Sequence, residues 1–149
     1  MEKHGGRLPT TVEGLKSIQG IGDYTAGAVS SIAFGVRAPV VDGNVVRVTS
    51  RLRAYGGDPK ASSAVQGFWR VVGSVIPAER PGDFNQGLME LGASLCSVTS
   101  PKCAECPISA HCAAFAESVK DPANLPVTRF PAKTDKKPPK EDTYAVCIV

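Results

Sequence analysis

Four cysteines, Cys96, Cys103, Cys106 and Cys112, stand at the spacing C-x6-C-x2-C-x5-C. A short loop ties these thiols together, and the two residues between Cys103 and Cys106 let one tight turn aim both sulfurs at the same centre. Such a set suits one metal centre. Spacing alone leaves zinc and a [4Fe-4S] cluster open, and a pair of disulfides is the structural alternative. The fifth cysteine, Cys147, falls outside the pattern and reads as a buried strand residue.

Two further groupings carry chemical potential. Gly20-Ile21-Gly22 lies between two helical stretches, where backbone N–H groups and the following helix dipole suit a phosphate oxygen, and glycine allows close approach. A plain tight turn is the simpler account of the same residues. Val40-Val41-Asp42-Gly43-Asn44-Val45 places a carboxylate between valines and a helix start. Asp42 or Asn44 there serves either as a helix cap or as a group that stabilises a developing cation or activates water.

The elements that must position these residues are helical. Thr10-x-x-Glu13 resembles a capping box opening a short helix through Ile18. Tyr24 to Phe34 is small and apolar and stops at Gly35. Asn44 to Ala54 reads as the next helix. Ser62 or Ser63 caps another that carries Val65, Phe68, Trp69, Val72 and Ile76, broken by Pro77 and Pro81-Gly82. Phe84 to Leu95 puts Phe84, Leu88, Leu91 and Leu95 on one stripe and delivers the chain to Cys96. Ile108 to Glu117 is expected to be a helix running through Cys112. No strand pattern precedes residue 125, so the body is expected to be all-α.

Composition narrows the class. The 149 residues are 42% hydrophobic, enough for one core and a tail. Met1 is followed by polar residues and glycines rather than an apolar signal segment, and no apolar run approaches the roughly 20 residues of a membrane span. A reducing compartment is therefore expected, which favours metal ligation by thiols. The net charge is +3, and its excess sits late: Lys120, Arg129, Lys133, Lys136, Lys137 and Lys140 face only Asp121 and Asp135. The remainder is nearly neutral, so nucleic-acid binding there must rely on local geometry. With Pro122, Pro126, Pro131, Pro138 and Pro139, residues 119–142 read as a basic linker. Thr143 to Val149 reads as a strand opening a further domain, with a hydrophobic tail as the alternative.

Taken in order, these pieces resemble the helix-hairpin-helix DNA glycosylase superfamily with its iron–sulfur loop, and within it the MutY-type adenine DNA glycosylases. Ile18-Gln19-Gly20-Ile21-Gly22 is similar to the hairpin and Val41-Asp42-Gly43-Asn44-Val45 to the aspartate loop, and the cysteines are similar to the cluster loop. Tyr24-Thr25-Ala26-Gly27-Ala28 and Phe84-Asn85-Gln86-Gly87-Leu88-Met89-Glu90-Leu91-Gly92-Ala93 strengthen the likeness, which covers Leu8 to Glu117. Residues 130–141 resemble the linker before that family's Nudix-like domain.

The resemblance implies a partial helical barrel in residues 1–118, the linker in 119–142 and the first strand of a Nudix-like domain in 143–149. It implies a [4Fe-4S] cluster on Cys96, Cys103, Cys106 and Cys112. It also implies a monomer acting on double-stranded DNA with A:8-oxoguanine or A:G mispairs, in the nucleus or mitochondrion, with no membrane role.

Asp42 would stabilise the oxocarbenium-like sugar formed as a flipped-out adenine leaves, with Asn44 orienting it and Tyr24 lining the reacting face. Gly20, Ile21 and Gly22 would grip a phosphate, with Lys102 a second contact. Endonuclease III, the competing relative, resembles a Schiff-base lyase with lysine just after the hairpin glycines and Asp-Thr-His at the aspartate loop. This chain has Tyr24 and Asp42-Gly43-Asn44 there, which points to a monofunctional glycosylase.

The family's general-acid glutamate belongs to helices upstream of the hairpin, and neither Glu2 nor Glu13 sits in a matching motif. The chain is thus expected to be part of a longer enzyme, with apolar faces on Tyr24–Phe34 and Phe68–Ile76 left uncovered. A noncatalytic DNA-binding module and a zinc-stabilised adaptor are the alternatives. Arg47 and Arg51 share a helix face, where ion pairs are expected. His111 reads as a surface residue.

Overall fold

The computed structural model describes residues 5–132 and Cys147. Six α-helices run in chain order: α1 (Val12–Lys16), α2 (Asp23–Phe34), α3 (Gly43–Leu52), α4 (Ser62–Val75), α5 (Pro81–Ser94) and α6 (Ala113–Lys120). Short 3-10 turns at Cys103–Glu105, Ser109–His111 and Val127–Arg129 complete the described structure, which contains no strand. The all-α expectation holds for these residues. The expected linker, residues 119–142, is packed in its first part: residues 119 and 120 end α6, and Val127 and Phe130 are buried. Residues 133–146, with the rest of that linker and most of the expected strand, lie outside the described residues. Cys147, read from the sequence as buried, is exposed.

Helix boundaries shift from the sequence expectation for local reasons. The cap of α1 is Thr11 rather than Thr10: its extended backbone lets Oγ1 accept from Gly14 N–H at 3.1 Å. Helix α4 begins at Ser62, so Ser62 and Ser63 lie inside it and Ala61 takes the cap position without a side-chain bond. An Asp58 turn, with Oδ1 accepting from Lys60 N–H at 2.8 Å, has already set the chain's entry. Helix α5 begins at Pro81, three residues before the expected Phe84, because the first helical position has no need of the N–H that proline lacks. The expected helix through Cys112 is divided. Cys112 is extended and caps α6, which turns its sulfur back toward the preceding loop.

Helix α5 forms the spine, packed across α2 on one side and α3 on the other. Missing side chains make both crossings close. A Cβ on Gly82 would meet the Ser31 carbonyl oxygen at 2.6 Å, and one on Gly92 would meet Asn44 Cβ at 2.6 Å. Leu15, Ala26, Val40, Val45, Val48, Phe68, Val72 and Ile76 fill the interior. Asn85 is fully buried within it, its amide donating to Ser31 Oγ and the Ala38 carbonyl, both at 2.9 Å, and so pinning the α2–α3 connection to α5.

The apolar faces expected to be uncovered are exposed in part. Tyr24, Ile32 and Phe34 on α2 and Val65 and Val75 on α4 meet solvent, whereas Phe68, Val72 and Ile76 are core. The stripe Phe84, Leu88 and Leu91 does not close a core. With Val71 and Val75 it lines an apolar groove of about 600 Å³ between α4 and α5. Because the α3–α5 crossing depends on a bare Gly92, Gly92→Val is expected to lower stability by about 1–3 kcal/mol. Urea unfolding followed by circular dichroism would show a lower midpoint; an unchanged midpoint would mean the helices do not meet there.

Candidate active site and cysteine loop

Asp42 is placed by the first turn of α3. Its Oδ1 accepts from Val45 N–H at 2.7 Å, the ordinary bond of a helix cap, while Oδ2 accepts from Asn44 Nδ2 at 3.0 Å. The capping and functional readings of Asp42 are therefore compatible, since the cap fixes the carboxylate's direction. Asp42 and Asn44 are half-buried and line an open cavity of about 630 Å³ with Gln86, Met89 and Glu90 from α5. Sequence reasoning did not single out Gln86 and Glu90. Both belong to the Phe84–Ala93 stretch that carries the family likeness, and they stand four residues apart, on one face of α5.

Tyr24 does not line that cavity directly. It lies in the first turn of α2, 45% exposed, and its hydroxyl donates to Met89 Sδ at 3.9 Å, a long contact that sets its ring beside the cavity's rim. Just before it, the residues from Ser17 to Gly22 form the hairpin between α1 and α2. Gly20 adopts φ +90°, a left-handed conformation open to glycine, and Ile21 N–H closes the turn on the Ile18 carbonyl at 3.1 Å. Gly22 caps α2 with no side-chain bond to its first-turn amides, and Gly20 and Gly22 are exposed. Lys16 and Asp23 form an ion pair across the hairpin, which raises the Lys16 pKa, first through their hydrogen bond.

The cysteine loop follows α5. Cys96, Cys103, Cys106 and Cys112 are free thiols, not disulfides, and all four line one small cavity of about 30 Å³ with Lys102, Phe115 and Val127. Burial pushes the Cys103 and Cys112 thiols up from their ordinary values, and neighbouring thiols add to this. Arg51 pulls Cys103 the other way, while backbone N–H groups of Phe115 and Ala114 do so for Cys112. Four thiolates together need a cationic group among them, so the donor set fits a metal centre. Among the described residues, no three His, Cys, Asp or Glu side chains stand close enough to grip a single ion. Lys102 is exposed at the loop's surface, and His111 is exposed on the apolar groove, as the sequence suggested.

Arg47 and Arg51 correct the expectation of ion pairs. Both point at the end of α5 and the start of the cysteine loop, where helix-terminal carbonyls lack partners. Arg47 donates from Nε to the Cys96 carbonyl at 2.8 Å, and from Nη2 to the Gly92 carbonyl at 2.6 Å and Asn44 Oδ1 at 2.8 Å. Arg51 donates to the Cys96, Ser97 and Val98 carbonyls and, at 3.2 Å, to Cys96 Sγ. A continuous set of hydrogen bonds thus runs from Asp42 through Asn44 and Arg47 to the first cysteine. Two motifs more than fifty residues apart in the chain form one assembly.

No protein-family model matches the chain. It is 45% identical over 142 residues to an adenine DNA glycosylase of Arabidopsis thaliana, a match covering 95% of this chain and 22% of that protein. The fold is similar to a thermostable thymine-DNA glycosylase, with TM-score 0.68 and 34% identity over 76% of this chain and 52% of the other. An endonuclease III structure trapped as a covalent intermediate with DNA gives TM-score 0.63 and 30% identity, over 78% of this chain and 53% of that one. The chain thus spans about a fifth of the curated relative and half of each solved structure.

Arg47→Ala would strip bonds from the Gly92 and Cys96 carbonyls and from Asn44 at once. It is expected to cost about 2–3 kcal/mol of unfolding free energy, the scale of bonds to a charged donor. Denaturant unfolding would show the loss; a change within error would mean that water replaces the guanidinium without penalty.

Proposed function

We propose that this chain, similar over most of its length to adenine DNA glycosylases, belongs with the helix-hairpin-helix DNA glycosylases and hydrolyses the N-glycosidic bond of adenine mispaired with 8-oxoguanine or guanine. The observation that carries this reading is Asp42, held by Val45 N–H and Asn44 at the edge of a cavity large enough for an extruded nucleotide. The setting is base excision repair by a monomer on duplex DNA, in the nucleus or mitochondrion.

A purine inside the stack is out of reach, so the base must be extruded, at a cost of a few kcal/mol. As the bond to the departing adenine lengthens, positive charge builds on the deoxyribose. Asp42 meets that charge with its carboxylate. Asn44 keeps the carboxylate oriented through Oδ2, and Arg47 in turn holds Asn44. Gln86, with donor and acceptor on one amide, suits the edge of a nucleobase at the same cavity. Tyr24 borders the reacting face; a phenol forms no imine, which supports hydrolysis over lyase chemistry. The hairpin Gly20-Ile21-Gly22, free of side chains at its two glycines, lets a backbone phosphate approach the first-turn amides of α2, and Lys102 offers a second contact, a cationic one.

The cysteines would hold a [4Fe-4S] cluster, with Arg51 at Cys96 Sγ. Bound there, the cluster supplies a multivalent cross-link that fixes the loop and thereby Lys102. Residues 1–118 would then be part of the catalytic domain, residues 119–142 a basic linker, and residues 143–149 the first strand of a Nudix-like domain.

The test is single-turnover adenine release from an A:8-oxoguanine duplex by the iron-loaded full chain. Asp42→Asn is expected to slow release by about a hundredfold or more, the scale of a lost electrostatic stabiliser, while duplex affinity barely changes. Undiminished release in that variant would sink the role of Asp42. Binding without any release by the parent chain would instead identify a DNA-binding module.

A further inference from the structure

The turn Val127–Arg129 and the following Phe130 lie beyond the last helix, yet Val127 is 7% and Phe130 5% exposed. With Ala114 they form a small apolar cluster, and Cys103, Cys112 and Phe115 pack against it. Val127 also lines the cysteine cavity. Two of the four cysteines therefore lean on this segment.

A polar tie joins the same parts. Arg51 is 2% exposed, and its Nε donates to the Phe130 carbonyl at 2.9 Å while its other nitrogens hold Cys96 Sγ and the carbonyls of Cys96, Ser97 and Val98. On the far side, the Arg51 carbonyl accepts from Cys112 Sγ at 3.5 Å. Ion pairs among the described residues join Lys16 to Asp23 and Arg80 to Asp83, so the Arg51 charge meets carbonyls and a sulfur rather than a carboxylate. A buried guanidinium without an anion is costly. Thiolates gathered around a metal group supply the missing negative charge beside it.

We infer that Val127–Phe130 is the wall of the cysteine site and Arg51 its latch, so that loading the site and docking this segment favour each other. Loaded thiolates anchor the guanidinium, the anchored fork presents Nε to the Phe130 carbonyl, and the docked apolar side chains keep water from Cys103 and Cys112. Because linkage is reciprocal, each event strengthens the other by the same factor. The segment leading into the basic stretch thereby reports whether the metal site is filled. This inference rests on the reading that the four cysteines hold a metal group.

The experiment separates the two ideas. Iron, sulfide and zinc in the purified full chain identify the group. Trypsin then probes the bond after Arg129, exposed on the docked turn, in the loaded chain and after chelator stripping, with cleavage after Arg70 in α4 as the reference for global unfolding. Stripping is expected to speed cleavage after Arg129 relative to Arg70 by about fivefold or more, the low end of measured couplings. Conversely, Phe130→Ala should hold metal more weakly in equilibrium competition with a chelator, and Phe130→Leu should restore retention.

Equal Arg129 cleavage in loaded and stripped chains would overturn the coupling, as would unchanged metal retention in Phe130→Ala. If Phe130→Ala fails to fold, the comparison on the parent chain decides alone. A chain that carries no metal at all overturns both readings, whereas a metal-bearing chain with uncoupled cleavage overturns only this one.

Discussion

The carbonyls at the end of α5 are the constraint on which the site depends. A helix that runs straight into an irregular loop leaves its last acceptors short of partners, and here the cysteine loop returns a donor to the Leu95 carbonyl, from Lys102 N–H at 2.9 Å. Arg47 and Arg51, four residues apart on α3, meet these acceptors and those of the following loop residues. Guanidinium suits the task, since its several N–H groups form a fixed fork that reaches several carbonyls at once. The same helix begins at Asp42. One rigid element therefore sets the distance and angle between the carboxylate at its head and the cysteine loop along its flank.

That arrangement explains why α5 must approach α3 so closely at Gly92. Only without a side chain there does the Gly92 carbonyl come within 2.6 Å of Arg47 while Asn44 packs over the same spot. The same Arg47 nitrogen donates to Asn44 Oδ1, and the Asn44 amide donates to Asp42. Packing, helix termination and orientation of the carboxylate thus share one structural solution. A change at any of these residues acts on the others, so their effects should not add independently.

Much of the molecule was legible because its signals are local. The cysteine spacing, the glycines of the hairpin and the capping potential of Asp42 each depend on neighbours a few residues away, and each appears in the structure near its expected place. Helix starts were less legible. Thr11 displaced Thr10, Ala61 displaced Ser62, and Pro81 opened the helix expected to begin at Phe84, since a cap is chosen by backbone direction as well as residue type. Cys112 broke an apparently continuous helix because its sulfur had to face the loop.

The sequence by itself determined the helical class, the order of hairpin, aspartate loop and cysteine loop, and the residue types able to do the chemistry. Those properties follow from short-range sterics and periodicity. Tertiary structure alone decided that the arginines of α3 cap α5 and its loop instead of pairing with acids, and that Gln86 and Glu90 share a cavity with Asp42. It alone decided, too, that Val127 and Phe130 close on the cysteines from beyond the last helix. The physical reason is that a guanidinium can donate to a carboxylate, a carbonyl or a thiolate, and residue type alone does not choose among them. Which of these it meets depends on what the fold brings within about 3 Å of it.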